Sequence, residues 1–193
     1  MLHHLTSHAA ACVEPDGTVH ADAPRPLALL PGSFNPLHPG HLGLAAAASA
    51  RLGVPVAFEL SAANVDKPEL SAEEIERRVR QFAGLAPVWI TRAATFETKA
   101  ELFPGAAFVL GHDTAVRLID AKYYRDDVKL RDAVLRKLLD RGCKVVVGGR
   151  VDAEGAFRVW TGEGLRSEFA GLFLPLAEID FRLDVSSTRL RMG

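Results

Sequence analysis

The sequence predicts an α/β fold, a doubly wound and mostly parallel sheet with helices on both faces, and two observations carry that expectation. From residue 27 onward, short apolar runs alternate with segments of helical periodicity, and no internal repeat or low-complexity tract interrupts them. Turn-forming and chemically versatile residues gather after the apolar runs, at 32–41, 111–113 and 185–191. In a parallel sheet those positions are the carboxyl ends of strands, where ligands sit and the strand order reverses.

Taken in order, Leu27–Leu30 reads as a buried strand and His41–Leu52 as a helix closed by Gly53. Val54–Leu60 is the next strand. Ser71 opens a helix as a capping box with Glu74, each satisfying an orphan backbone donor of the other. Ile75, Val79 and Phe82 then recur as one apolar stripe, with Arg77, Arg78 and Arg80 on the wet face. Pro87–Thr91 is a short strand, Phe96–Phe103 a short helix ending near Pro104-Gly105, and Ala107–Leu110 a buried strand. Asp113–Ile119 is a helix that opens directly after Gly111-His112. Asp126–Arg141 is amphipathic, with acids in its first turn and Arg141-Gly142 at its end, as the helix dipole favours. Lys144–Val147 is another strand, and Phe157–Trp160 an edge hairpin after the Asp152–Gly155 turn. Leu172–Leu176 and Ile179–Leu183 complete the set as short strands.

The chain of 193 residues is long enough for one good-sized domain, and its 48% hydrophobic content favours a packed core. With 23 basic against 24 acidic side chains the formal charge is −1, which removes the electrostatic case for non-specific nucleic-acid binding but allows a local anion site. Cys12 and Cys143 are far apart and lack metal-site spacing, the usage of a reduced, cytoplasmic protein. No apolar run has the length of a membrane span, and the N-terminus has no basic n-region or signal-length apolar core. A homo-oligomer stays open. Residues 1–26 read as an extension, with a small hairpin around Asp16-Gly17, and 27–193 as the domain. His3, His4 and His8 read as solvated, having no acidic or cysteine partner at ligand spacing.

The turn 32–41, GSFNPLHPGH, holds the densest chemistry. Gly32 would let a ligand approach the backbone where a Cβ would block it. Pro36 and Pro39 fix φ, and Pro39 suits the first helical position, making His38 the cap and placing Gly40 and His41 in the first turn. The amides of that turn, with the helix dipole, read as an anion pocket toward which both imidazoles can aim. A metal site from His38, His41, His112 and Asp113 is disfavoured, because helical zinc histidines usually sit four apart.

GSFNPLHPGH resembles the G-x-F-N-P-x-H-x-G-H signature of the nucleotidyltransferase superfamily of adenylyl- and cytidylyltransferases. The tail segment DVSSTRLR resembles that superfamily's I-S-S-T-x-x-R, with Val185 in place of Ile and Arg191 as the final arginine. About 145 residues separate the two motifs, which stand in the order the superfamily has them. FVLGHDTAVRLI (108–119) is similar to the strand, Gly-x-Asp, helix segment of nicotinamide and nicotinate mononucleotide adenylyltransferases, and SAANVDKPEL with ERRVRQF to their mononucleotide loop and following helix.

The resemblance implies a Rossmann-like fold. It implies transfer of AMP from ATP to NMN or NaMN by direct in-line attack, with release of pyrophosphate and with Mg²⁺ accompanying the ATP phosphates. By it, Gly32, Ser33 and Phe34 cradle the α-phosphate with their backbone, and His38, His41 and Arg191 are catalytic. Gly40, Ser186, Ser187 and Thr188 hold phosphates, Gly111 and Asp113 meet the ribose, and Lys67 matches a lysine near the mononucleotide phosphate, while Trp89, Tyr123 and Tyr124 are aromatic candidates for stacking on its pyridine ring. The alternatives are another phosphorylated acceptor on the same fold (phosphopantetheine, or a polyol phosphate with CTP) and a non-catalytic nucleotide-binding module.

Overall fold

The computed structural model describes residues 9–63, 65, 68–152 and 154–181. Its strands are β1 (Ala10–Val13), β2 (Val19–His20), β3 (Ala28–Pro31), β4 (Ala57–Ser61), β5 (Val88–Thr91), β6 (Ala107–Gly111), β7 (Lys144–Gly148), β8 (Arg150–Val151), β9 (Phe157–Arg158) and β10 (Phe173–Pro175). Its helices are α1 (Pro39–Leu52), α2 (Ala72–Val79), α3 (Phe96–Leu102), α4 (His112–Ile119) and α5 (Val128–Asp140).

One sheet has the order β10-β7-β6-β3-β4-β5-β1-β2, and β8 and β9 form a separate two-stranded hairpin. The six strands from β10 to β5 are parallel, whereas β1 joins β5 antiparallel and β2 joins β1 antiparallel. From β3 the chain steps outward through β4 to β5, then crosses back to place β6 on the other flank of β3. The strand order therefore reverses between β3 and β6, which run parallel as neighbours from the register Ala28↔Ala107 and Leu29↔Phe108. That adjacency brings the turns after residues 31 and 111 together.

The sheet is Rossmann-like, and apolar side chains cover both faces. Leu30, Phe58, Leu60, Ile90, Val109 and Val146 meet α1 and α2 on one face, while Leu29, Trp89, Phe108, Leu110, Val145 and Val147 meet α3, α4 and α5 on the other. Strand residues adjacent in sequence thus go to opposite cores, which explains why the runs read as apolar throughout rather than alternating. Trp89 is 2% exposed and packs edge-on to Phe103, a core side chain.

Part of the segment read as an extension lies within the sheet. Ala10–Val13 are all buried and pair along β5, and the expected hairpin turns at Asp16-Gly17, where Asp16 Oδ1 accepts from the Thr18 amide. Four small or apolar residues in a row can cover a sheet edge, which otherwise presents unpaired amides and carbonyls to solvent. The expected strand Ile179–Leu183 is a turn as far as it is described, with the Asp180 and Phe181 amides donating to the Ala177 carbonyl. Ile179 is almost fully exposed. Among the described residues no helix is long and apolar enough to cross a membrane, and both cysteines are buried free thiols.

A buried ion pair sits at the carboxyl ends of β4 and β5. The Lys99 ammonium donates to both oxygens of Glu59 at 2.7 Å and to the Ala93 carbonyl at 2.8 Å, and the Thr91 hydroxyl donates to Glu59 at 2.6 Å. All three ammonium protons are satisfied, which is what such a pair needs to offset its desolvation. Lys99→Met should lower stability by about 3–5 kcal/mol, because it leaves a buried carboxylate without its cation, whereas Glu59→Leu combined with Lys99→Met should recover most of that loss. Urea unfolding of the three proteins checks this.

Candidate functional site

The turn after β3 is held by its own aromatic residue. The Gly32 amide donates to the Glu59 carbonyl at 2.9 Å, so the loop leaves from the end of the β3–β4 ladder. Phe34, at φ +45°, turns its ring back into the core, fully buried and edge-on to Phe58 at 5.6 Å, Phe82 at 5.0 Å and the His41 ring at 5.1 Å. A Cβ at position 32 would stand 2.6 Å from the Phe34 ring. The space that glycine frees is taken by Phe34, not kept for a ligand as the sequence suggests.

Helix α2 and the 3₁₀ turn after it grip the same loop from the other side. Arg78 donates to the Ser33 carbonyl at 2.8 Å and Arg77 to the Asn35 side chain at 2.7 Å. Gln81 donates to the Phe34 carbonyl at 2.9 Å and accepts from the Leu37 amide at 2.8 Å. Glu74 completes only half of its expected capping box. Ser71 accepts from the Glu74 amide, but the Glu74 carboxylate engages Arg77 and Arg78, whose hydrogen bonds hold it well below the usual carboxylate range. Sequence reading placed Arg78 on the wet face, whereas it is buried. Glu74, Arg78 and Gln81 do repeat at i, i+4 and i+7, one residue behind the apolar stripe Ile75, Val79 and Phe82, which marks a shared face but not the loop that covers it.

His38 caps α1 with Pro39 at the first helical position, as expected. The cap is reciprocal: His38 Nδ1 accepts from the Gly40 amide at 3.1 Å, and His41 Nδ1 accepts from the His38 amide at 3.3 Å. The His41 amide donates to the His38 carbonyl at 2.9 Å, and Pro39 has no amide proton. The backbone donors of this turn are thus committed, including that of Gly40, which the sequence assigned to an anion. What the turn offers instead follows from the caps. A ring whose Nδ1 accepts a hydrogen bond carries its proton on Nε2 when neutral, so each imidazole is an Nε2–H donor. The two rings stack at 3.7 Å between centroids. Burial, with the charge of His38 adding to it, pushes the His41 pKa down to about 4, so His41 is neutral near pH 7.

The second turn follows β6. Gly111 is the cap residue of α4, and among the described residues nothing stands within 4 Å of a Cβ there. Asp113 stands in the first turn, highly exposed, 3.2 Å from Arg150 of β8. His112 lines a cleft of about 460 Å³ between α4, α5 and residues 159–164, with Val116, Ile119, Arg131 and Trp160 in its walls. Its pKa is lowered by burial and by Arg150, with Asp113 acting in the opposite direction.

Of the remaining predicted residues, Tyr123 is exposed, with Lys122 and Arg117 near its ring. The Tyr124 hydroxyl donates to the Leu118 carbonyl at 2.9 Å, which ties the 3₁₀ turn Ala121–Tyr124 to α4. Lys67, Ser186, Ser187, Thr188 and Arg191 lie outside the described residues. Phe181, the last described residue, packs its ring on Gly43 of α1 and Gly148 of β7, so the chain approaches its final segment beside the helix that carries His41.

His41 takes up a proton near 6.5 when unperturbed but only near pH 4 in the fold. Between those values the unfolded chain binds more protons, so this contribution to stability is complete above pH 6.5 and is lost as pH falls toward 4. His41→Asn keeps an acceptor for the His38 amide without a titrating ring. The drop in urea midpoint between pH 6.5 and 4 should therefore be smaller in His41→Asn than in the unaltered protein.

A family model described as cytidylyltransferase-like matches residues 29–193. No curated protein matches the chain.

Proposed function

The chain belongs to the cytidylyltransferase-like family, whose general activity is nucleotidyl transfer, and we propose on that premise that it moves AMP from ATP to a pyridine mononucleotide, NMN or NaMN. The observation that supports this reading most directly is the reciprocal histidine cap at the strand-order reversal, with two Nε2–H donors held at one helix N-terminus. An oxygen of the acceptor phosphate attacks the α-phosphorus of ATP in line. The new P–O bond forms as the bond from the α-phosphorus to the bridging oxygen breaks, and pyrophosphate leaves with the electron pair. The attacking phosphate is already ionised at neutral pH, so the site needs positioning and charge stabilisation rather than a base.

In this reading the imidazoles of His38 and His41 donate to the ATP phosphates, and the amides of Ser33 and Phe34 meet the α-phosphate. Asp113 accepts from the ribose beside Gly111. Ser186, Ser187, Thr188 and Arg191 hold the leaving pyrophosphate, while Lys67 and the exposed ring of Tyr123 serve the acceptor. Mg²⁺ enters as MgATP, where it neutralises phosphate charge.

Incubation with MgATP and NaMN or NMN should release pyrophosphate, and His41→Ala should slow that release by about 10²–10³-fold, the range seen when one transition-state donor is removed. CTP, phosphopantetheine and polyol phosphates belong in the same panel. Release only with one of these moves the substrate, and release with none overturns the assignment of transfer.

A further inference from the structure

The β8–β9 hairpin has no place in the mechanism above, yet it sends a side chain into the site. Arg150 Nη1 lies 3.2 Å from Asp113 Oδ1, and His112 Nδ1 lies 3.7 Å from that same oxygen. The hydrogen bond that described residues make to this carboxylate goes to Oδ1. His112 Nδ1 is buried and has no hydrogen-bond partner among the described residues, so a small movement of the carboxylate toward it would satisfy both groups. The Arg150 guanidinium and the His112 imidazole therefore both stand at one oxygen, Oδ1. Beside it Gly111 pairs with Gly148 across the ends of β6 and β7, and among the described residues nothing stands within 4 Å of a Cβ at 111.

We propose that Arg150 and His112 are positioning residues that anchor Oδ1 of Asp113 and so present Oδ2 to a ribose hydroxyl, making this corner the reader of the nucleotide's sugar. The inference rests on the nucleotide-binding reading given above. An ion pair as exposed as Arg150–Asp113 adds little to stability, so its effect here is on orientation. A free carboxylate on the first turn of a helix samples several rotamers, and fixing one of them reduces the entropy lost when the hydroxyl binds. A site with a fixed acceptor discriminates against a sugar lacking the hydroxyl, because the acceptor is then left unpaired.

Calorimetric titration of the full chain with ATP, 2′-deoxy-ATP and 3′-deoxy-ATP tests this, with CTP and 2′-deoxy-CTP run alongside. The unaltered protein should prefer the ribonucleotide over at least one deoxy analogue by roughly ten- to hundredfold, the range for a hydrogen bond to a charged group. Arg150→Met should shrink that preference several-fold, Arg150→Lys should restore part of it, and His112→Phe should reduce it while filling the same space. Thermal unfolding confirms that the variants fold. If Arg150→Met weakens ribo- and deoxyribonucleotides by one common factor, or the unaltered protein does not discriminate, the positioning role is overturned. Absence of binding by every nucleotide overturns the nucleotide reading and this inference with it, whereas sugar discrimination without pyrophosphate release overturns only the transfer reaction.

Discussion

The structure depends on one constraint, the fixed path of the seven residues between β3 and α1. Phe34 anchors that path from inside, at a positive φ that a bulky residue rarely adopts, and its buried ring offsets the strain. Arg78 and Gln81 fix the loop carbonyls from outside, and the histidine pair closes the far end by satisfying the amides of the helix start. The imidazoles are therefore not side chains resting on a loop. Their Nδ1 atoms are part of the helix cap, so ring orientation and helix initiation are the same event. A rotation that moved either Nε2–H would first have to break a capping hydrogen bond.

The topology explains why this path matters where it is. Because the chain returns from β5 to the opposite flank of β3, the turns after β3 and β6 become neighbours although 79 residues of sequence lie between Pro31 and Gly111. The Glu59–Lys99 pair stabilises the outgoing half of the sheet at the same edge, holding the ends of β4 and β5 through Thr91 and Ala93. Its charges are fully used within the protein, and it serves as a brace. Each half of the doubly wound sheet thus ends in a polar cluster, one internal and one open at Asp113.

Much of this was legible in the sequence because local patterns and tertiary demands agree. Leu29, Phe108 and Val146 sit in apolar runs, Pro39 marks a helix start, and Gly53 takes the left-handed conformation at +69° that closes α1. The misreadings have two origins: local competition for a partner or a space, at Gly32 and Glu74, and contacts made over long sequence separations, at Arg78 and Arg150. Gly32 looked open because the ring that fills its space comes from two residues away along an unusual backbone path. Arg78 looked solvated because helical periodicity says which residues share a face, not whether a loop from 45 residues earlier covers it. Glu74 fits a capping box by spacing, yet two arginines offer its carboxylate stronger partners than one amide does. Arg150 could not be found from motifs, since nothing local connects a hairpin residue to an aspartate 37 positions away.

The loss of the expected amide pocket changes the electrostatics of the site. An anion at a helix N-terminus usually meets backbone N–H groups directly. Here the imidazoles take those amides at Nδ1 and offer their own N–H at Nε2, which carries the hydrogen-bonding capacity of the helix start outward by one ring width. Burial and the charge of the stacked His38 ring both disfavour protonation of His41, so its neutral tautomer is favoured by desolvation and by geometry. Neutral donors can face a phosphate whose charge is being redistributed without themselves paying a large desolvation cost or holding the product by net charge. In the described part of the site, directionality rather than net positive charge is what the fold supplies.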